Sequence, residues 1–289
     1  MTIINVSDID QIKSFIESAN YEMASYLYKL PQAHNQFDAF LKDVIDNPGV
    51  YAIQNDEGQL TMMLMAFPYE TNKYKVIGPL INPNVQYAIE DFDSLFQAMI
   101  NEQLDSANFN FSFEKAQQYF HLPMKTIGAS YNFTDYYLET DTDVGEIGPT
   151  QNITEYHPAY FRSFNKLHKS TFAHNAMTGS EIIDSLQDNN HLFMFMSEGL
   201  LKGYVYLQIF ENQQTAEIKY FASHADYRFK GIAFELLKYV LHFAFQNYDV
   251  KKIYFKIRSK NNKLVARFNE LGFNVNHEFK KYKFVKAYL

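Results

Sequence analysis

Residues 216–246, AEIKYFASHADYRFKGIAFELLKYVLHFAFQ, predict a strand, a short basic turn and a helix in succession. The first residues are apolar and rich in β-formers, and apolar residues beyond Gly231 recur at the three-and-four spacing of a helix with one buried face. The first-turn N–H groups of such a helix lack carbonyl partners, and the helix dipole adds partial positive charge there. Because Gly231 has no Cβ, a ligand can approach its backbone closely. The stretch therefore predicts an anion-binding turn.

The turn has the form Arg-x-x-Gly-x-Ala, from Arg228 to Ala233. This form resembles the pyrophosphate-binding segment of the GNAT (Gcn5-related N-acetyltransferase) superfamily. Asn261 precedes Leu271-Gly272-Phe273 on a short helical run, which resembles the final motif of the same family. The motifs cover residues 190–283, in the order that a GNAT domain requires. The resemblance implies acetyl-CoA as co-substrate and a primary amine as acceptor, with no metal.

The resemblance also implies which residues contact the cofactor. Backbone groups at the end of the predicted strand would bond the pantetheine amides, as a peptide adds to a sheet edge. The basic turn would hold the pyrophosphate. The implied cofactor-binding residues are Phe221, Ala222, Ser223, Arg228, Phe229, Lys230, Gly231, Ile232, Ala233, Asn261 and Phe268. In GNAT enzymes the loop between the first two helices helps to form the acceptor pocket, where His174 and Asn175 are candidates.

Glu217 is the candidate catalytic residue. It lies eleven residues before Arg228 within Ala-Glu-Ile, which resembles the histone-acetyltransferase branch, where this Glu is the general base. A primary amine with a pKa of about 10.4 is mostly protonated at neutral pH and must lose a proton before it attacks a thioester. Glu217 could accept that proton through water. Alternatively, Glu217 lies on the solvent face, or it pairs with Lys219 or another cation. Period-two alternation puts Glu217, Lys219 and Phe221 on one face, which makes pairing credible.

The general-acid position of the family is altered. Many members have a Tyr four residues before the Gly of Gly-Phe, and it protonates the departing thiolate. This chain has Phe268 there. Either the thiolate leaves unassisted, since a thiol has a pKa of only about 8.5, or a hydroxyl such as that of Ser259 or Tyr227 serves, or the activity is lost.

The composition limits the class of protein. The 289 residues include no cysteine, which excludes disulfides and thiolate chemistry. No apolar run reaches the ~18–20 residues of a membrane span, and the N-terminus lacks a signal-peptide pattern, so we expect a cytoplasmic protein without a membrane partner.

The two halves of the chain differ in charge. Residues 1–147 contain 7 lysines, no arginine and 21 acidic residues, a net charge of −14, whereas the rest contains 19 basic and 12 acidic residues, a net charge of +7. A polyanion such as CoA would favour the basic half, or the opposite charges help the halves to dock. Nucleic acid is not an expected partner, because the acidic half would repel phosphate. We expect a small-molecule or peptide amine as the acceptor, and a monomer or homodimer.

The first half repeats the element order of the second. Helices are predicted at 7–28, capped by Ser7, and at 36–46; strands follow at 50–54, 59–67 and 74–81, then a helix at 91–103, a strand at 108–113, a helix at 114–121 and a strand at 131–139. The anion-binding turn is missing, because residues 82–88 (NPNVQYA) contain neither Gly nor a basic residue. An unrelated α+β domain is the alternative.

The predicted fold is α/β, with two GNAT-like domains, each a central mixed β-sheet flanked by helices. Residues 1–143 would form a degenerate copy, residues 144–151 a linker with Gly145, Gly148 and Pro149, and residues 152–289 the acetyl-CoA-binding domain. The predicted activity is direct acetyl transfer from acetyl-CoA to a primary amine in a ternary complex. The alternatives are a non-catalytic CoA-binding sensor or interaction module, and an aminoacyl-tRNA-dependent transferase with paired GNAT-like domains. The intact turn argues against the latter.

Overall fold

The computed structural model describes residues 1–31, 34–115, 117, 119–145, 147, 150–172, 176–187, 189–224 and 231–287, except for the side chains at 34 and 35. The chain divides into two compact units. Unit 1 comprises Met1–Asp135 and Glu278–Leu289, and unit 2 comprises Tyr136–His277. The sequence predicts a division of the chain at the linker 144–151. Two segments lie in a different unit from the one that this division predicts. Residues 278–289 lie in unit 1, because they supply a strand of its sheet, and residues 136–143 lie in unit 2.

Unit 1 is a mixed sheet with helices on both faces. Its helices are α1 (Ile9–Ser18), α2 (His34–Asp46), α3 (Ile89–Asn101) and α4 (His121–Thr126), with a 3-10 turn at Leu27–Lys29. Its strands are β1 (Thr2–Asn5), β2 (Val50–Gln54), β3 (Leu60–Glu70), β4 (Lys73–Ile81) and β5 (Asn108–Glu114); β6 (Ser130–Thr140) and β12 (Asn274–Val285) each belong partly to unit 1 and partly to unit 2. The strand order is β1-β2-β3-β4-β5-β12. Among these neighbours, β4 and β5 pair in parallel and the other pairs are antiparallel.

The first helix is shorter than predicted. It is capped by Asp8 rather than Ser7, because the Asp8 carboxylate accepts hydrogen bonds from the backbone N–H groups of Asp10 and Gln11. It ends at Ser18 instead of continuing to residue 28, since Ala19 is extended and the backbone beyond it bonds to strands. The helix predicted at 114–121 is likewise displaced, to α4 at His121–Thr126.

The core of unit 1 has two layers. Ile12, Phe15, Leu41 and Val44 of α1 and α2 pack on one face of the sheet. On the other face, α3 and α4 pack against the aromatic side chains of β5, which are Phe109, Phe111 and Phe113. Because helices cover both faces of the sheet, successive residues of β3 are buried whichever face they occupy. This explains the continuous apolar run in β3.

Unit 2 repeats this arrangement. Its helices are α5 (Phe161–Thr171), α6 (Gly179–Asp184), α7 (Ile232–Asn247) and α8 (Asn262–Asn269), with 3-10 turns at Pro158–Tyr160 and Glu211–Gln213. Its strands β7 (Ile153–Glu155), β8 (Asn190–Ser197), β9 (Leu200–Phe210), β10 (Thr215–Ser223) and β11 (Lys252–Arg258) follow the order β7-β8-β9-β10-β11, with β6 next. Helices α7 and α8 cover one face, and α5 and α6 cover the other. The predicted fold class, α/β with a mixed β-sheet flanked by helices in each unit, is confirmed.

The net charge of each structural unit differs from the net charge of the corresponding half of the sequence. Unit 1 contains 11 basic and 18 acidic residues, a net charge of −7, and unit 2 contains 15 of each, a net charge of zero. The lysines of the last strand belong to the acidic unit, and the acidic residues 139–146 belong to the other. The inference that a basic second domain attracts CoA was therefore wrong at the level of net charge. Within the described residues, no helix combines the length and apolar character needed to cross a membrane.

Candidate functional site

The central feature of unit 2 is the separation of two parallel strands. β10 pairs with β11 from Thr215↔Lys252 to Ile218↔Phe255 and no further. On its other edge, β10 stays paired with β9 as far as Ser223↔Gly203. The last residues of β10 therefore have a strand on one edge and an opening on the other. Phe221, Ala222 and Ser223, implied by the resemblance as pantetheine contacts, lie along this opening.

A bulge at Lys219 changes which face the β10 side chains occupy. Ile218 pairs with Leu207 and Tyr220 with Tyr206, so Lys219 is an extra residue in the ladder. Phe221 consequently packs with the core beneath α7, whereas Tyr220 and Ala222 pack with the core beneath α5. The prediction from strict alternation that Phe221 shares a face with Glu217 and Lys219 fails for this reason.

Helix α7 begins beside the open end of β10. Its N-cap is Gly231, with φ of +79°, a left-handed conformation that favours glycine. Gly203 is the contact point, because a Cβ there would lie 3.0 Å from the Ala222 carbonyl oxygen and 3.1 Å from Ile232 Cγ2. The start of the helix and the unpaired end of the strand thus adjoin. Gly231, Ile232 and Ala233 lie at this helix start, as predicted, and the first turn also carries the exposed Glu235.

Glu217 lies in the parallel part of β10 and is 4% exposed. Its two oxygens contact two ammonium groups, Lys256 Nζ at 3.1 Å from Oε1 and Lys219 Nζ at 3.3 Å from Oε2. The Tyr254 hydroxyl donates to Oε2 at 3.4 Å. Burial, and then the neighbouring Glu217 charge, raises the pKa of Tyr254, which keeps its proton. The pairing alternative is thus realised with Lys219 and, additionally, with Lys256.

Phe268 is a core residue. It is fully buried, its ring stacks on Phe255 with centroids 4.5 Å apart, and it meets Phe273 edge-on at 4.9 Å. The ring of Phe221 lies 6.5 Å away, so Phe268 supports the splayed strand from beneath. Asn261 is exposed, and its carbonyl accepts the N–H groups of Leu264 and Val265 at the start of α8.

A buried polar cluster on the α5 face was missed from the sequence. His168 Nε2 lies 2.6 Å from the Met177 carbonyl oxygen, and its Nδ1 lies 2.5 Å from the Tyr204 hydroxyl. Since a carbonyl can only accept, Nε2 carries the proton and Nδ1 accepts from Tyr204. Met177 N–H in turn donates to the Tyr220 hydroxyl at 2.9 Å. The cluster fixes the chain at Met177, within the predicted acceptor loop between α5 and α6. Its only sequence signal is the apolar face shared by Phe164, Leu167 and His168.

Several predicted site residues lie outside the described residues. They are the acceptor-loop candidates His174 and Asn175 and the turn residues Arg228, Phe229 and Lys230. Tyr227, one alternative hydroxyl, also falls there, whereas Ser259 is described and half-buried after β11.

Comparisons with known proteins bear on the family and the fold. Residues 152–273 match the family model described as Acetyltransferase (GNAT) family. Among solved structures, a GCN5-related N-acetyltransferase from Sphaerobacter thermophilus superposes with a TM-score of 0.65 at 12% identity, over 99% of this chain and 96% of that one. A tandem GNAT protein from the clavulanic acid biosynthesis pathway superposes with a TM-score of 0.58 at 12% identity, over 100% and 99%. No curated protein matches the chain in sequence.

The matched segment lies entirely within unit 2, while the structural likeness spans both units. At 12% identity the structural likeness establishes the fold. Residues 152–273 therefore match the GNAT acetyltransferase family, and the whole chain has the fold of a tandem GNAT protein.

Proposed function

We propose that the protein is an acetyl-CoA-dependent N-acetyltransferase whose cofactor site lies in unit 2. The observation that carries this proposal is that α7 starts against the end of β10, at Gly203 of β9, where β10 has already separated from β11. The strand edge offers backbone groups for the amides of the pantetheine arm. The helix start offers N–H groups for the pyrophosphate, aided by Arg228 and Lys230. The GNAT match of residues 152–273 supports the same assignment.

Acetyl-CoA, when bound, supplies an activated acetyl group as a thioester. The acceptor is a primary amine of a small molecule or peptide. Its nitrogen forms the new amide bond, the carbon–sulfur bond breaks, and the amine loses a proton. Glu217 accepts that proton through water, and a backbone N–H beside the bulge stabilises the negative charge that develops on the carbonyl oxygen. Phe268 has no hydroxyl to protonate the leaving group, and CoA in this proposal leaves as the thiolate, which a thiol pKa of about 8.5 permits.

Binding is tested with Gly231→Trp, which places a bulky side chain at the start of α7. Saturation at about 100 times the dissociation constant should stabilise the wild type by roughly 2.7 kcal/mol, a shift of a few degrees. We expect no acetyl-CoA shift in Gly231→Trp. The matched control is Gly199→Trp, since Gly199 has a similar φ of +71° with nothing within 4 Å and lies in the β8–β9 turn. A wild type that acetyl-CoA does not stabilise contradicts the proposal.

The base assignment is tested with Glu217→Gln on a panel of amines. We expect unchanged acetyl-CoA affinity and a fall in turnover of about 10²–10⁴-fold. Lys256→Gln is the matched control, because it removes one ion pair of Glu217 and leaves the carboxylate. Equal losses in both variants would mean that the ion pairs, rather than the base, carry the effect.

A non-catalytic CoA-binding sensor is the second candidate. Two observations favour it, the burial of Phe268 at the position of the family acid and the two lysines on the Glu217 carboxylate. Acetyl-CoA binding without turnover on any amine of the panel would support this function over the transferase.

A further inference from the structure

Unit 1 has the same strand separation as unit 2. β4 pairs with β5 in parallel only from Lys73↔Asn108 to Lys75↔Asn110, although β4 continues to Ile81 and β5 to Glu114. β4 remains paired with β3 up to Ile81↔Met62. An opening between β4 and β5 is thus built into unit 1, at the place where β10 and β11 separate in unit 2.

The opening in unit 1 is filled by the chain itself. Asn20 and Ile81 exchange backbone hydrogen bonds of 2.7 and 3.3 Å, and Ser25 and Gly78 exchange bonds of 2.8 and 3.3 Å, so residues 20–25 lie along the open edge of β4. On the β5 side, Tyr26 N–H donates to the Ser112 carbonyl at 3.0 Å, and Ser112 N–H donates to Ser25 Oγ at 2.8 Å. We name residues 20–26 the inserted segment. It satisfies the backbone groups of Gly78, Ile81 and Ser112 at the opening.

Residues 23–26 of the inserted segment are buried and held from two sides. Ser25 is fully buried and Ala24 is 1% exposed. The Gln117 side chain donates to the Ala24 carbonyl at 2.9 Å. Lys281, from the last strand, donates to Ser112 Oγ at 2.6 Å, and its Nζ lies 5.0 Å from the ring centroid of Tyr26. Lys281 of β12 therefore holds the inserted segment directly through Tyr26 and indirectly through Ser112.

The remaining features of unit 1 also disfavour an anionic cofactor. The first turn of α3, which follows β4 as α7 follows β10, carries two acidic residues, Glu90 and Asp91, where that of α7 carries Glu235, and the Asp91 carboxylate accepts the Ala88 N–H at 2.8 Å. Negative charge at a helix start opposes phosphate binding. The third residue of the parallel ladder is Lys75, where unit 2 has Glu217. Burial lowers the pKa of Lys75.

We propose that the inserted segment is a built-in occupant of the slot in unit 1, fastened by Lys281, and that unit 1 therefore takes no acyl-CoA. The inference deepens the proposed function, since it means one acetyl-CoA per chain, bound in unit 2. The segment acts in unit 1 as a strand that its own chain supplies to the open edge of β4.

The stoichiometry of acetyl-CoA binding is the first test. Calorimetry on the full chain should give one site per chain for the wild type and for Gly199→Trp, and none for Gly231→Trp. Two sites in the wild type, or one remaining in Gly231→Trp, would overturn the inference. If the wild type binds no acetyl-CoA, the proposed function is refuted but the inference about the inserted segment is not. That inference is then tested by the solvent accessibility of the segment.

Accessibility is measurable because the chain has no cysteine of its own. A single thiol from Ser25→Cys should react with a maleimide at least about 100-fold more slowly than one from Ser14→Cys on the exposed face of α1, with or without acetyl-CoA. Equal rates, or a faster reaction when acetyl-CoA is added in the Gly231→Trp background, would contradict the inference. Hydrogen exchange of the unmodified chain checks the same point, with slow exchange expected at the Ser25 and Tyr26 amides.

The role of Lys281 is tested in the Ser25→Cys background. Lys281→Met should raise the labelling rate of the Ser25→Cys thiol by about tenfold or more, because it removes the bonds to Ser112 and Tyr28. Lys283→Met, two residues further along β12, is the matched control and should leave the rate unchanged. Equal rates in the two variants would show that Lys281 does not fasten the segment.

Discussion

His168 illustrates how a single buried side chain can organise the neighbourhood of the site. Its ring is 2% exposed, and both nitrogens are engaged, one by the Met177 carbonyl and the other by the Tyr204 hydroxyl. A protonated imidazole could not accept the Tyr204 proton, and its charge would be buried. Burial accordingly lowers the pKa of His168 below its usual value of about 6.5.

The stability of unit 2 should therefore fall in acid. In the window between the lowered pKa and about 6.5, the unfolded chain binds a proton at His168 that the folded chain does not. Stability is present above that window and is lost as the pH falls through it. Urea unfolding between pH 5 and 8 should show this slope in the wild type.

The slope should be weaker in His168→Asn and retained in His157→Asn, since His157 is exposed and Asn can still cap its helix. Tyr204→Phe at neutral pH should cost about 1–3 kcal/mol, because it leaves a buried nitrogen without a donor. An unchanged pH slope in His168→Asn would show that another group titrates.

At the scale of elements, the contact of α7 with β9 and β10 decides the geometry of the site. Three residues, Gly203, Ala222 and Ile232, meet where the strand opens and the helix begins. Gly203 permits this close approach, which depends on residues that lie almost thirty positions apart in the sequence.

Gly203→Ala should be destabilising and should weaken acetyl-CoA binding. Its methyl group would lie 3.0–3.2 Å from three neighbours, one of them a backbone oxygen, and overpacking of this kind costs about 1–3 kcal/mol. We expect a lower urea midpoint and an acetyl-CoA affinity reduced by about tenfold or more. Gly199→Ala is the control for affinity, since nothing lies within 4 Å of a Cβ at that position. If Gly203→Ala binds acetyl-CoA with full affinity, the contact of α7 with β9 and β10 is not needed for cofactor binding.

At the scale of the whole molecule, the last strand completes the first unit. Seven residue pairs, from Phe279↔Glu114 to Val285↔Asn108, join β12 to β5. Tyr282 and Phe284 pack on the aromatic core of that unit. Unit 1 is therefore built from both ends of the chain.

Removal of residues 278–289 should destabilise unit 1 by roughly 5 kcal/mol or more, since three aromatic side chains lose their burial. The measurement is denaturant unfolding followed by the hydrogen exchange of unit 1 peptides. Removal of residues 288–289 alone is the control. A truncated chain with an unchanged unit 1 transition would mean that β12 adds little to its stability.

The charge distribution leads to a second prediction at this scale. Unit 2 has no net charge, so any electrostatic attraction of acetyl-CoA must come from local groups. Such short-range attraction is only partly screened by salt, and the affinity should change by less than about tenfold between about 50 and 500 mM NaCl. A loss of more than a hundredfold in a calorimetric titration would indicate long-range attraction instead.

Local signals in the sequence were sufficient for the class of fold and for part of the site. The positions of Gly231, Leu236 and Val240 predict a strand, a tight turn and an amphipathic helix, because turn chemistry and helical period involve neighbours only a few residues apart. The lack of Gly or basic residues at 82–88 likewise indicates that the first copy has lost its anion-binding turn. The β10 segment was assigned correctly, but its bulge at Lys219 was not, since a bulge depends on pairing with β9.

Contacts between residues distant in sequence decided the other features of the fold and of the candidate site. Residues 19–28 continue the helical pattern of α1, yet the open edges of β4 and β5 offer their backbone groups hydrogen bonds that a helix continuation would forgo. His168, the two lysines on Glu217 and the place of residues 278–289 likewise depend on partners distant in sequence. The sequence by itself determined the elements, the GNAT pattern and the candidate turn. Only the tertiary structure decided which segment fills the opening of unit 1 and which charges surround Glu217, because these follow from contacts that local periodicity does not encode.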